Sequence, residues 1–409
     1  MTSSADDFEV AVIGAGQAGL ATSYYLTQAG VDHAVLEAGR VAETWRSRRW
    51  DSFRLVTPNS ITKLPGAEYD GPEPDGFMHR DELLERFERW VESFGPTLLE
   101  ETRVTALEPA PDGGWVLTLD EREVRARAVV VATGAYQSAH RPPGADALPA
   151  RIHQLVAEEY RNPDGLPPGS VLIVGSGQTG CQLTEELRES GRTVLLSCGR
   201  CPWFPRRLDG RDTMLWQIDS GWVERTPDTL PSPAARLMAN PQVTGHGGGR
   251  DLNYRTLHAD GVELLGRFAG AEGSTLRFAD DLGASVDFGD ARWADMRTSI
   301  DAYCSRAGVQ RPAYPDVEPL RVKTRTAVDL VREGVGSVIW TTGYRPDYRW
   351  IRAPVVDEMG FPVQVDGRAN VAGLYFVGVH WLRKLKSAIL YGVGEDAHVV
   401  VDHIVGART

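Results

Sequence analysis

Gly14-Ala-Gly16-Gln17-Ala18-Gly19 and Gly175-Ser-Gly177-Gln178-Thr179-Gly180 carry one spacing, G-x-G-x-x-G, at positions 161 residues apart. The chemistry such a turn serves is the holding of a pyrophosphate. The first glycine permits a tight turn, the second lets the backbone approach the anion, and the third lets a helix pack closely on a strand. Free N–H groups and the positive end of the following helix then hold the charge. One such match is a weak signal, since many unrelated chains contain it; two in the same context are a strong one.

That context is the order of a βαβ unit, written twice. Phe8 to Ile13 is a short apolar strand before the first turn, Leu20 to Gln28 has the length of a helix, and His33 to Glu37 is a second strand. Ser170 to Val174, Cys181 to Glu189 and Thr193 to Ser197 repeat the order. Between the copies, Trp115 to Leu119 with Val124 reads as an antiparallel hairpin, and Ala128 to Gly134 as a buried strand ending at a turn, a pattern that recurs at Val338 to Gly343. Asn162 to Gly169, rich in Pro and Gly, reads as a linker. The expected fold class is α/β, with two Rossmann-like dinucleotide-binding domains in a disulfide-reductase-like architecture. The first occupies residues 1–165 and 325–409; the second, residues 166–324 with an inserted segment at about 203–310, lies within it.

The two copies differ at the end of their second strand. The first has Glu37, followed by Ala38, and that carboxylate can accept hydrogen bonds from both ribose hydroxyls of an adenosine. The second has Ser197, then Gly199 and Arg200. A carboxylate there would repel a 2′-phosphate, whereas a serine can donate to it and an arginine can pair with it. FAD is therefore expected at the first site and NADPH at the second, with Arg206 and Arg207 available to extend the positive edge.

Beyond the glycine turns, the segment Trp45 to Asn59, the Ala132-Thr133-Gly134 turn, Tyr160 to Pro163, Pro231 to Arg236, Gly248 to Asn253, Thr342-Gly343-Tyr344-Arg345-Pro346 and Gly392 to Ala397 complete a pattern over nearly the whole chain. In these the chain resembles the class B flavin-dependent monooxygenases, and more narrowly a bacterial branch often labelled as potassium-transport flavoproteins. The resemblance implies FAD with NADPH, molecular oxygen as co-substrate, and a C4a-(hydro)peroxyflavin that oxygenates a small organic substrate at nitrogen or sulfur, or inserts oxygen in the Baeyer–Villiger manner. It places Trp45, Arg46 and Trp50 along the flavin and its pyrophosphate, Thr133, Gly134, Thr342 and Gly343 at the cofactor turns, and Asp396 at the ribityl or phosphate edge. Asn59 is the residue nearest a catalytic role. Each has a plainer reading too: Trp45 as packing, Asp396 as a helix cap, Asn59 as a turn residue after proline.

One stretch departs from the family pattern. Where the F-x-G-x-x-x-H-x-x-x-Y fingerprint would place Phe, Gly and His ahead of Tyr160, this chain has Ala150, Ile152 and Val156. On that account an uncoupled NADPH oxidase or flavin reductase stays open, and the transport label of the branch leaves open a non-enzymatic nucleotide-sensing flavoprotein.

Composition narrows the field from the other side. With 44 Lys and Arg against 56 Asp and Glu, the net charge of −12 opposes a phosphate-backbone footprint, so nucleic acid is not an expected partner. No apolar run reaches the ~18 residues of a membrane span, and the polar, acidic start reads as unprocessed and cytoplasmic. Four cysteines are too few for a disulfide framework. Cys198-Gly-Arg-Cys201 has redox-pair spacing, but it follows the second glycine motif instead of preceding it. Nine scattered histidines offer no metal-site spacing, and no metal is expected. The stretch from Gly247 to Arg250 could form an anion nest or a moving lid, and its plainer reading is a flexible surface loop.

Overall fold

The strand Asp7–Ile13 has its last four residues buried, as a strand covered on both faces must. In the computed structural model, which describes residues 7–120 and 122–408, it is the centre of a parallel sheet. His33–Leu36 lies on one side, with Val10 opposite His33, and Glu123–Val131 on the other, with Val10 opposite Ala128. Leu98–Leu99 extends the first flank and Leu374–Phe376 the second. The polar residues 1–6, on which the reading of an unprocessed start rests, lie outside the described residues.

A second sheet repeats the arrangement. Ser170–Val174 is central, between Val194–Ser197 and Val335–Trp340, with Glu263–Leu265 and His153–Val156 at the edges, all parallel. The chain is thus α/β with two Rossmann-like units, the second set within the first. Sheet membership moves the expected limits. Strand 153–156 precedes position 166 yet belongs to the second sheet, and strand 335–340 belongs there although it lies beyond position 325. The segment expected as an insertion at about 203–310 also donates strand 263–265. Strand pairing over long sequence distances decides this, and no local pattern encodes it.

Period-2 alternation assigns the core. Val10 and Val12 face one way, onto Leu20 and Leu26 of the helix Gln17–Gln28 and onto Val400 of the final helix Val393–Gly406. Ala11 and Ile13 face the other, onto Leu107, Leu117 and Phe376. Strand 123–131 joins what reads as two elements in sequence: its first half alternates in exposure against the hairpin partner Trp115–Leu119, and its last four residues are buried in the parallel sheet. Within the segment after Ser197, the 26-residue helix Leu282–Ala307 packs Trp293, Met296 and Ile300 against Trp203 and Phe204.

The glycine run is exposed at Gly247 and Gly248 and packed tightly on either side of them. A Cβ on Gly245 would sit 1.9 Å from the Leu55 carbonyl oxygen, and one on Gly249 would sit 2.6 Å from the Phe77 ring. Among the described residues, no helix is long and apolar enough to cross a membrane.

Candidate active site

Both glycine turns open into one cavity of about 1860 Å³, well above the ~300–1,000 Å³ of a typical small-molecule pocket and of a size for two dinucleotides. Gly14 holds φ +107°, and a Cβ there would lie 2.7 Å from the Ala132 carbonyl oxygen; Gly175 holds φ +105°, with the Thr341 carbonyl oxygen 2.5 Å away. The two turns close against the end of the returning strand in the same way. At Gly16 nothing lies within 4 Å of a Cβ position, so the backbone there is open to a ligand. At Gly177 the nearest atom is the Ala239 methyl, 3.2 Å away. Gly19 and Gly180 do not line the cavity: Cβ atoms there would overlap the Gly14 and Gly175 carbonyl oxygens at 1.7 and 2.0 Å. They are the close-packing glycines of each unit.

No side chain caps the N-terminus of either following helix, so first-turn N–H groups face the cavity without a side-chain acceptor. Glu37 is held beside the first turn by two backbone donors, Ala15 N–H to Oε2 at 2.7 Å and Gly39 N–H to Oε1 at 2.9 Å. Ala18 and Ala38 line the same wall. Gln17 ties three segments together: its Oε1 accepts from Trp45 Nε1 at 3.0 Å and its Nε2 donates to Ala388 O at 2.8 Å. Trp50 lines the cavity beside Trp45. Thr133 and Gly134 both accept from Gln137 Nε2, at 2.9 and 3.1 Å. Thr342 and Gly343 form the matching turn of the second unit, with Thr342 Oγ1 donating to His140 O. Gln178 and Thr179 line the wall at the second helix start.

Four of the expected residues lie off the cavity wall. Ser197 is buried and donates its hydroxyl to Gly266 O at 3.0 Å, pointing into the sheet edge and not the cavity. Arg46 turns outward to Glu88 at 2.7 Å. Asn59 is buried outside the cavity wall; its amide donates to Glu73 O at 2.9 Å and its carbonyl accepts from Met78 N at 2.8 Å, so it fastens a loop. Asp396 is also buried off the wall, against Arg383 at 3.2 Å, and burial pushes its carboxyl up to about 6. Arg200 does line the cavity, is exposed, and among the described residues has no hydrogen bond or ion pair.

Arg49, Tyr136 and His380, which the sequence did not single out, do line the cavity. Arg49 lies over the Trp45 and Phe53 rings, 5.1 and 5.6 Å from their centroids, with no carboxylate paired to it among the described residues. Burial lowers its pKa, the cost of holding a guanidinium among rings. His380 packs edge-on against Tyr136 at 4.9 Å, and burial pushes the imidazole down to about 4, so it is neutral at working pH. Tyr136 accepts a hydrogen bond from Asn240 at 2.8 Å. The run Trp45-Arg-Ser-Arg-Arg-Trp50 signalled a cation near the flavin segment, but which arginine turns inward depends on the end of the short helix Glu43–Ser47. His380 had no sequence signal. Cys198 and Cys201 are buried free thiols that burial pushes upward in pKa, which removes the reactivity a redox pair needs. Among the described residues, no group of three or more His, Cys, Asp or Glu could hold a metal.

A family model described as pyridine nucleotide-disulphide oxidoreductase matches residues 11–211. A relative from Geobacillus kaustophilus, named an uncharacterized CzcO-like oxidoreductase, is 30% identical over 97% of this chain and 98% of its own. Flavin-containing monooxygenase 5 of Oryctolagus cuniculus is 30% identical over 61% of this chain and 49% of its own. The solved flavin-containing monooxygenase from Stenotrophomonas maltophilia superposes with a TM-score of 0.69 over 99% of this chain and 100% of its own, and at 21% identity it establishes the shared fold.

Proposed function

The chain belongs to the class B flavin-dependent monooxygenase family, in its CzcO-like branch, and is an oxidoreductase; on that footing we propose that it takes reducing equivalents from NADPH and oxygenates a small organic substrate at nitrogen, sulfur or a ketone carbon. One observation carries the reading: two uncapped glycine turns share a single cavity and differ in the charge beside them, with fixed Glu37 at the first and unpaired Arg200 at the second.

The residues fit the two dinucleotides. Gly14, Gly16 and the first turn of the helix from Gln17 would hold the FAD pyrophosphate, with Glu37 on the ribose and Arg49, not Arg46, as the neutralising cation. Gly175, Gly177, Gln178 and Thr179 would hold the NADPH pyrophosphate, and Arg200 alone its 2′-phosphate, since the Ser197 hydroxyl is already spent on Gly266. Bound there, FAD with NADPH supplies the hydride and oxygen chemistry by which one atom of O₂ enters the substrate and the other leaves as water.

The protein's own work is orientation and exclusion. Gln17 fixes Trp45 against the 385–391 loop, and Trp45, Trp50 and Phe53 form an apolar wall that keeps water from the reacting region. No nucleophilic side chain is required. The pair of neutral, half-buried groups Tyr136 and His380 offers hydrogen bonding on that wall without adding charge.

The test is the stoichiometry of NADPH consumed to hydrogen peroxide released, with and without amine, thioether and ketone substrates. Coupled turnover releases less peroxide than NADPH consumed when a substrate is present. Peroxide equal to NADPH under every condition overturns oxygenation and leaves the oxidase reading, which Val156 at the fingerprint position favours; that residue is buried in the second sheet opposite Trp340 and offers no polar group.

A further inference from the structure

Arg225 is a half-buried cation facing the cavity with its binding capacity unspent. Its guanidinium lies 3.6 Å from the Trp222 ring centroid and 5.9 Å from that of Trp381. Its Nε donates to Trp222 O at 3.0 Å, and among the described residues the rest of the fork has no hydrogen-bond acceptor or ion-pair partner. The carboxylates that could have neutralised it are committed elsewhere. Neighbouring Glu224 pairs with Lys384 at 2.8 Å and with Lys386 at 2.5 Å. Asp295 pairs with Arg292 at 2.8 Å. Burial lowers the pKa of Arg225 to about 10, with Asp295 opposing and Arg292 adding to the effect.

An arginine desolvated between two indoles and left without a carboxylate costs free energy unless an anion completes it. The lobe's net charge identifies which anion. Arg292 is neutralised by Asp295, so Arg225 contributes a single uncompensated positive charge, which suits a monoanion better than a dianionic phosphate. A planar fork with free parallel N–H groups matches a carboxylate. Trp222, Trp381, Phe288 and Met214 on the same wall present rings and an apolar side chain to whatever the carboxylate is attached to.

The lobe also connects to the first glycine turn. Arg225 O accepts from Leu385 N at 2.8 Å, and three residues later Ala388 O accepts from Gln17. One short strip of chain touches both places.

We propose that the Arg225 lobe recognises the carboxylate of an organic monoacid substrate whose aromatic or apolar body lies against the wall that Trp381, Phe288 and Met214 line. The inference rests on the monooxygenase reading for the word substrate, and its test does not depend on turnover. Isothermal titration of the FAD-loaded protein without NADPH compares 4-phenylbutyrate with 4-phenylbutyramide, which has the same body without the charge. The acid is expected to bind about ten-fold or more tightly than the amide, a difference of about 1.4 kcal/mol. Arg225→Met abolishes that preference, and Arg225→Lys, which keeps the charge but not the fork, retains part of it, while both variants keep their affinity for NADP⁺.

Equal binding of acid and amide by the wild-type protein overturns the proposal without reference to any variant. So does loss of NADP⁺ affinity in Arg225→Met, which would make Arg225 a partner of the nucleotide phosphate. The two readings fail separately. An acid preference without coupled turnover keeps the lobe and removes the oxygenase, whereas coupled oxygenation of neutral thioethers with no acid preference keeps the oxygenase and removes the lobe.

Discussion

The Glu37 carboxylate accepts the Ala15 backbone N–H at 2.7 Å, so the acid that ends one strand also shapes the glycine turn that ends its neighbour. Removing it affects both a ribose contact and the turn. Glu37→Ala is expected to lower FAD affinity about 10- to 100-fold, from the ~1.5–3 kcal/mol of a hydrogen bond to a charged group. The check is the flavin-to-protein absorbance ratio after gel filtration, with and without added FAD.

The glycines of the first turn separate fold from binding. Gly19→Ala forces a Cβ into the Gly14 carbonyl oxygen and should cost about 3 kcal/mol or more, with a large drop in melting temperature. Gly16→Ala meets open space, so the apoprotein should lose less than about 1 kcal/mol while FAD retention collapses. Thermal melts of apoprotein and flavin content, measured side by side, distinguish the two.

At the second turn, coenzyme choice should follow Arg200 and ignore Ser197. Arg200→Gln is expected to raise the KM for NADPH about 10- to 100-fold and to leave NADH almost unchanged. Ser197→Ala, which removes a donor to Gly266 O, should leave the NADPH-to-NADH preference intact. Steady-state kinetics with both coenzymes decide the matter.

Glu186 gives a pH signature. Burial, with Asp51 adding to it, pushes its carboxyl up to about 7 from an ordinary 4.5. Between those values the folded chain keeps a proton that the unfolded chain has shed, so unfolding releases protons and stability falls as pH rises through the window. The benefit is whole below about 4.5 and gone above about 7. Glu186→Gln should flatten this: relative to the variant, the wild-type melting temperature drops from pH 5 to pH 8.

What the sequence made legible was whatever the backbone demands of residue type. A tight turn with positive φ, a close approach and a helix packed on a strand each select glycine, so both turns and their strands could be read locally. Side-chain direction was not encoded so. Ser197 sits at the strand end that faces a 2′-phosphate by analogy, yet the neighbouring Gly266 carbonyl captures it. Arg46 and Arg49 are three residues apart, and the end of a short helix sends one to Glu88 and the other over Trp45. Asn59 follows a proline, and its loop uses the whole carboxamide. Strands 153–156 and 335–340 join the second sheet through partners far along the chain, which no local pattern shows.

The Gln17 bridge has a consequence for biogenesis. Residue 17 emerges from the ribosome early, but the carbonyl it must reach belongs to Ala388, 371 positions later. The wall of the proposed first nucleotide cradle is therefore incomplete on a chain that has not yet been extended past residue 388. Pigment loading is then expected to come late, and translation products that stop before residue 388 should come off colourless.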